Sequence, residues 1–201
     1  MGSVLTLFHT GFSEVRAPDL TVGRRNADFG QGFYLSDDEA FSRRWARARR
    51  GGKTYLNRYE LDPSGLLIRR FERDEAWLEY IISNRAGRAD LYPEYDVIVG
   101  PIANDTLYDT WGILTSGLID SATALSVLSV GPAYEQTVIK TEKAAAALRF
   151  TGAVILTPEE IAAYRETVRL EEAAFQQAFA EKVASLRELT GDGDETEENE
   201  E

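Results

Sequence analysis

Two short stretches decide the fold: Phe8-His9-Thr10-Gly11-Phe12 and, across a polar loop, Asp28-Phe29-Gly30-Gln31-Gly32-Phe33-Tyr34-Leu35-Ser36. Val4–Phe8 is a short apolar run that predicts a first strand, with His9-Thr10-Gly11 as the turn that ends it. Residues 12–31 are polar and interrupted by Pro18, Gly23 and Gly30, which predicts a long loop. Gly32–Leu35 follows as a compact aromatic strand. Gly-x-Gly ahead of such a strand lets the backbone pass close to a ligand. Because these glycines precede a strand instead of opening a helix, they are not the dinucleotide fingerprint of a Rossmann domain. Ser36-Asp37-Asp38-Glu39 fits a capping box, with Ser36 as N-cap and Glu39 at N3. The helix it starts is expected to run to about Arg50, with Phe41, Trp45 and Ala48 on one face, and to stop at Gly51-Gly52.

Downstream, Thr54–Leu61 alternates as a strand does and Leu66–Phe71 reads as another. Asp74–Asn84 reads as a helix with Trp77, Ile81 and Ile82 inward. Tyr95–Ile102 is a nearly continuous β-branched run, the pattern of a buried strand. Helices are expected at residues 105–114 and 121–128. A strand is expected at Gln136–Lys140, a helix or turn at Glu142–Leu148 and a final strand at Ala153–Leu156. Short strands mixed with short helices, without regular βαβ alternation, indicate an α+β fold. Pro158 opens a long helix in which Ile161, Tyr164, Val168, Phe175, Phe179, Val183 and Leu186 recur at helical spacing. That stripe either packs on its own domain or docks a partner or a second copy. The expected organisation is a domain over 1–157, an amphipathic helix over 158–190 and a disordered acidic tail over 191–201.

Composition narrows the function. The chain has 201 residues, 43% of them hydrophobic, and no cysteine, which excludes disulfides, thiolate zinc sites and cysteine nucleophiles. No apolar run is long enough to span a membrane, and the start lacks the basic and apolar regions of a secretory signal, so a cytoplasmic location is expected. Of the formal charge of −12, seven negative charges fall in the last eleven residues. The remaining body is only mildly acidic, which argues against a broad nucleic-acid footprint. Arg43, Arg44, Arg47, Arg49, Arg50 and Lys53 form a basic cluster that reads either as a solvated helix face or as a patch for an acidic partner.

His9 is the only histidine. One histidine without a helical His/Glu pair does not build a metal site, so none is expected. No G-x-S-x-G elbow marks a serine hydrolase. Strand–His-x-Gly followed by Gly-x-Gly, an aromatic-Tyr-aliphatic-Ser strand and a capped helix resembles the diphtheria-toxin and poly-ADP-ribose-polymerase branch of the ADP-ribosyltransferases, whose mark is a His-Tyr-Glu triad on three strands. More narrowly, FHTGFSEV (8–15), RRNADFGQGFYLS (24–36), WLEYIISNR (77–85), YDVIVGPIAND (95–105) and QTVIKTEKAAAAL (136–148) resemble the bacterial domain-of-unknown-function family 3990, regarded as transferase-like, over roughly residues 5–156.

The resemblance implies an ADP-ribosyltransferase-like split β-sandwich with surrounding helices and a C-terminal helical extension. It also implies NAD as ADP-ribose donor. His9 would hold the adenosine-side ribose, Gly11 would let main-chain amides reach the nicotinamide amide, and Tyr34 would stack on the nicotinamide ring. An imidazole can donate to or accept from a ribose hydroxyl, and a phenol face suits a flat cationic ring. Thr10, Gly32 and Arg24 or Arg25 fall beside the same NAD site, an arginine suiting the pyrophosphate. The third triad position departs from the pattern: aligned by the strand, Gln136 takes the Glu position and Glu135 falls one before it, on the opposite face. A neutral Gln keeps hydrogen bonding but loses the charge that stabilises a developing ribosyl cation. It fits slow or single-unit transfer and argues against chain elongation. Asn104-Asp105 ends a buried strand and reads either as a site pair or as a helix cap.

Three expectations follow. The first is a mono-ADP-ribosyltransferase acting on a macromolecular acceptor, protein or nucleic acid, as a toxin or effector that a small partner could neutralise. The second is a non-catalytic NAD or ADP-ribose binding module. The third is an interaction protein, with the helix at residues 158–190 as its working surface, self-association included.

Overall fold

The computed structural model describes residues 3–103, 125–126 and 134–190, the side chains of Val183 and residues 186–190 excepted. The helix expected at 105–114, that at 121–128 apart from the helical residues 125–126, the pair Asn104-Asp105, the acidic tail and the side chains of the inward positions Val183 and Leu186 lie outside these. Among the described residues, strands and helices follow in the order β1 (Leu5–Gly11), β2 (Phe33–Leu35), α1 (Glu39–Arg44), β3 (Thr54–Leu61), β4 (Ile68–Arg70), α2 (Glu75–Arg85), β5 (Val97–Pro101), β6 (Glu135–Ile139), α3 (Glu142–Ala146), β7 (Leu148–Leu156) and α4 (Pro158–Thr190). The fold is α+β, with one sheet ordered β1-β3-β7 and another ordered β2-β6-β5-β4. Phe8 and Ser36 join the two through a pair of backbone hydrogen bonds of 2.8 and 3.0 Å.

Strand parity explains the layers. Leu7 of β1 and Tyr59 and Leu61 of β3 face Phe33 and Leu35 of β2, Val97 and Val99 of β5 and Ile139 of β6 in one buried cluster. The second sheet's other face, with Ile98 and Val138, is covered by Trp77, Leu78, Tyr80 and Ile81 of α2 together with Phe29 and Phe71. A strand buried on both faces needs apolar residues at every position, which is why β5 reads as a continuous run. The first sheet's outer face buries Phe8, Leu56 and Leu156 against Ala46 and Ile161.

Three sequence expectations are corrected. β1 does not turn at His9: it continues to Gly11, because Tyr55 of β3 pairs with it there. Ser36 is not the N-cap of α1. Its backbone is bridged to Phe8 and its hydroxyl donates to the Glu135 carbonyl at 3.0 Å, so Asp38 caps instead, accepting from Phe41 N–H at 3.0 Å. The helix ends at Arg44, well short of Arg50. The Arg47 carbonyl is taken by the Thr54 hydroxyl at 2.6 Å, Ala46 is fully buried, and Trp45 is 56% exposed instead of facing inward.

α4 begins on the domain itself, with Ile161 in the core. Arg43 and Arg44 of the basic cluster pair with Glu160 and Glu171 on α4, and Arg44 lies 4.4 Å over the Tyr134 ring. Leu170 of α4 is exposed. No described helix is long and apolar enough to cross a membrane.

Candidate functional site

Parity brings the site together. Tyr34 pairs with Val138 across β2 and β6, and Val138 shares its face with Gln136 two residues before it, so Tyr34 and Gln136 project from the same side of the second sheet. His9 follows Leu5 and Leu7 on the inner face of β1, where its ring meets Phe33 at 4.5 Å between centroids. Where these strands meet, a cleft of about 660 Å³ opens, lined among others by His9, Thr10, Arg24, Asn26, Asp28, Tyr34, Ser36, Trp45, Arg85 and Gln136. That volume lies within the ~300–1,000 Å³ typical of small-molecule sites.

His9 Nδ1 donates to the Tyr34 carbonyl at 2.8 Å, which leaves Nε2 of the neutral ring as a bare acceptor. Burial holds the imidazole below its ordinary value, against the opposing pull of that carbonyl, so the neutral form dominates near pH 7. Gly11 lies beside the imidazole, outside the lining. A Cβ there would sit 3.2 Å from His9 Nε2. Thr10 lines the cleft, and its hydroxyl donates to the Ser42 carbonyl at 2.5 Å.

The Tyr34 phenol donates to the Gly30 carbonyl at 2.6 Å and accepts from Phe29 N–H at 3.0 Å. Its acidity is suppressed, chiefly by burial, so it stays a neutral phenol whose ring position is set by the 29–30 turn. Gly30 makes that turn at φ +71°, a conformation that favours glycine. Lys140 Nζ on the Phe29 carbonyl and Asn84 Nδ2 on the Asp28 carbonyl pin the same segment. Gly32 lies against β6, where a Cβ would be 2.6 Å from the Ile139 carbonyl oxygen; its service to the site is to let β2 approach β6. Arg24 is exposed at the cleft and Arg25 lies outside the lining.

Gln136 is 9% exposed. Glu135 points the other way, as parity requires, and pairs with Arg70 at 2.7 Å. Sequence reasoning missed a carboxylate that lines the cleft, Asp28. Asp28 Oδ1 accepts from Arg85 Nε and Nη2 at 2.9 and 2.7 Å, and its Oδ2 accepts from Ala103 N–H at 3.0 Å and from Gln136 Nε2 at 3.4 Å. Asp28 and Arg85 both fall inside the blocks quoted above, but a pair 57 positions apart leaves no periodic trace in a sequence.

No curated protein and no solved structure that was compared matches this chain. A family profile described as "Protein of unknown function (DUF3990)" matches residues 5–150. With most of its length covered by that match, from β1 into β7, the chain belongs to the DUF3990 family.

Proposed function

We propose that this protein is a mono-ADP-ribosyltransferase, moving ADP-ribose from NAD to a macromolecular acceptor with release of nicotinamide. The observation that carries the reading is that His9, Tyr34 and Gln136, from three separate strands, line one cleft of about 660 Å³. The residues suit NAD. His9 Nε2 is an acceptor for a ribose hydroxyl, the Tyr34 ring is a fixed flat surface for the pyridinium, and Arg24 is an exposed cation for the pyrophosphate. In the reaction the bond between nicotinamide nitrogen and ribose carbon breaks, its electron pair leaving with neutral nicotinamide. The acceptor's nucleophile then bonds to that carbon and gives up its proton to solvent. Gln136 offers hydrogen bonds and no charge of its own, so transfer is slow and stops after one unit.

The neutrality of Gln136 also favours a second reading, a module that binds NAD without turnover. Nicotinamide release by the purified protein, with and without cell lysate and beside His9→Ala, decides between them. Release that needs both lysate and His9 supports transfer. Saturable NAD binding without release supports the binding module, and NAD affinity unchanged in His9→Ala and Tyr34→Ala refutes the site.

A further inference from the structure

Asp28 is held from every side. Arg85 grips Oδ1 with two guanidinium nitrogens, and the ion pair is largely buried, the side chains being 10% and 15% exposed. Ala103 N–H holds Oδ2, and Gln136 Nε2 reaches the same oxygen in a long hydrogen bond. An ionised carboxylate only accepts, so the Gln136 amide must turn its NH₂ toward Asp28. That turns Oε1, the acceptor end, away from Asp28. The pairing also dictates what position 136 tolerates: a carboxylate there would place two negative oxygens within about 3.4 Å of each other.

We propose that Asp28 is a positioning residue that fixes Gln136 with its carbonyl oxygen toward the ribose hydroxyls of the donor, which rests on the transferase reading above. Arg85 balances the charge of Asp28, so the contribution is orientation and not an added field. Among the described residues, the other charged or titratable groups lining the cleft around the pair are Arg24 on the loop, His9 on β1, Tyr34 on β2 and Arg85 on α2. Each variant is therefore compared with wild type at the same pH.

The test uses the full chain as wild type, Gln136→Glu and Asp28→Asn/Gln136→Glu. Nicotinamide release and melting temperature are read at about pH 8 and about pH 5.5. Gln136→Glu leaves the Arg85 and Ala103 bonds of Asp28 in place, and its melting temperature reports whether it folds. At pH 8 it is expected to release nicotinamide at least about tenfold more slowly than wild type and to melt lower, because the two carboxylates repel. At pH 5.5, where a carboxylate crowded against another takes up a proton more readily, both gaps are expected to narrow. In the double variant the introduced amide at position 28 can donate to the introduced carboxylate, although its NH₂ then faces Ala103 N–H, and release at pH 8 is expected to exceed that of the single variant.

Release by Gln136→Glu at or above the wild-type rate at both pH values overturns the proposal, as does a double variant that is folded by its melting temperature yet releases nicotinamide no faster than the single one at pH 8. Failure of the transferase reading looks different: the wild type itself releases no nicotinamide in a His9-dependent way. The role assigned to Asp28 in the reaction then falls as well, while a pH-dependent melting penalty in Gln136→Glu still registers the contact between the two side chains.

Discussion

Replacing Arg85 by methionine removes the cation of the Asp28 pair while keeping most of the side-chain volume. Both partners are largely buried, and breaking such a pair costs about 3–5 kcal/mol because the surviving charge loses its compensation. Asp28 would keep the Ala103 and Gln136 donors on Oδ2, which places the cost near the lower end, about 3 kcal/mol. The lost contact from Arg85 to the Ala103 carbonyl, at 3.3 Å, adds little. For a chain of this size that corresponds to a fall in Tm of about 6–12 °C. Urea unfolding of wild type, Arg85→Met, Asp28→Asn and the double variant gives the assay. In the Asp28→Asn background the charge is already gone, so Arg85→Met should cost at least about 1.5 kcal/mol less there. A loss under about 1 kcal/mol in the single variant, or an equal loss in both backgrounds, would refute the claim that this pair anchors the loop to α2.

Two further outcomes are expected. The unfolded chain takes up the His9 proton near 6.5, whereas burial holds the folded value lower. The unfolded state therefore binds more proton in that window, and stability measured by urea unfolding should fall as pH drops below about 6.5, a slope that His9→Asn removes. An identical slope in His9→Asn would mean that other groups carry it. Gly32→Ala would bring a Cβ to 2.6 Å from the Ile139 carbonyl oxygen and 2.7 Å from Val138 Cγ1, forcing β2 from β6, with an expected loss of about 1–3 kcal/mol in thermal unfolding. A variant as stable as wild type would show that the β2–β6 contact yields freely.

The legible part of this protein is the part written in local pattern. The alternation of Thr54–Leu61, the unbroken apolar run of β5, the Gly-rich approach to β2 and the stripe opening at Pro158 each carry a period or a turn signal, and each became the expected element. Parity within β6 likewise separated Gln136 from Glu135 correctly, since a one-residue shift reverses the face of any strand. What failed at local level failed because a distant partner outbid the local signal. Ser36 had the chemistry of an N-cap but spent its hydroxyl on Glu135, and α1 stopped early because Thr54 took the carbonyl of Arg47.

The sequence by itself determined the α+β class, most strand positions and the presence of His9, Gly11, Tyr34 and Gln136 as a candidate set. Only the tertiary structure decided that His9, Tyr34 and Gln136 line one cleft and that Gly32 serves strand approach. It alone placed the cleft's carboxylate at Asp28, held by an arginine 57 residues away. The reason is physical: periodicity records which face a residue takes, whereas an ion pair between a loop and a helix depends on how separate elements pack and has no signature in either segment alone.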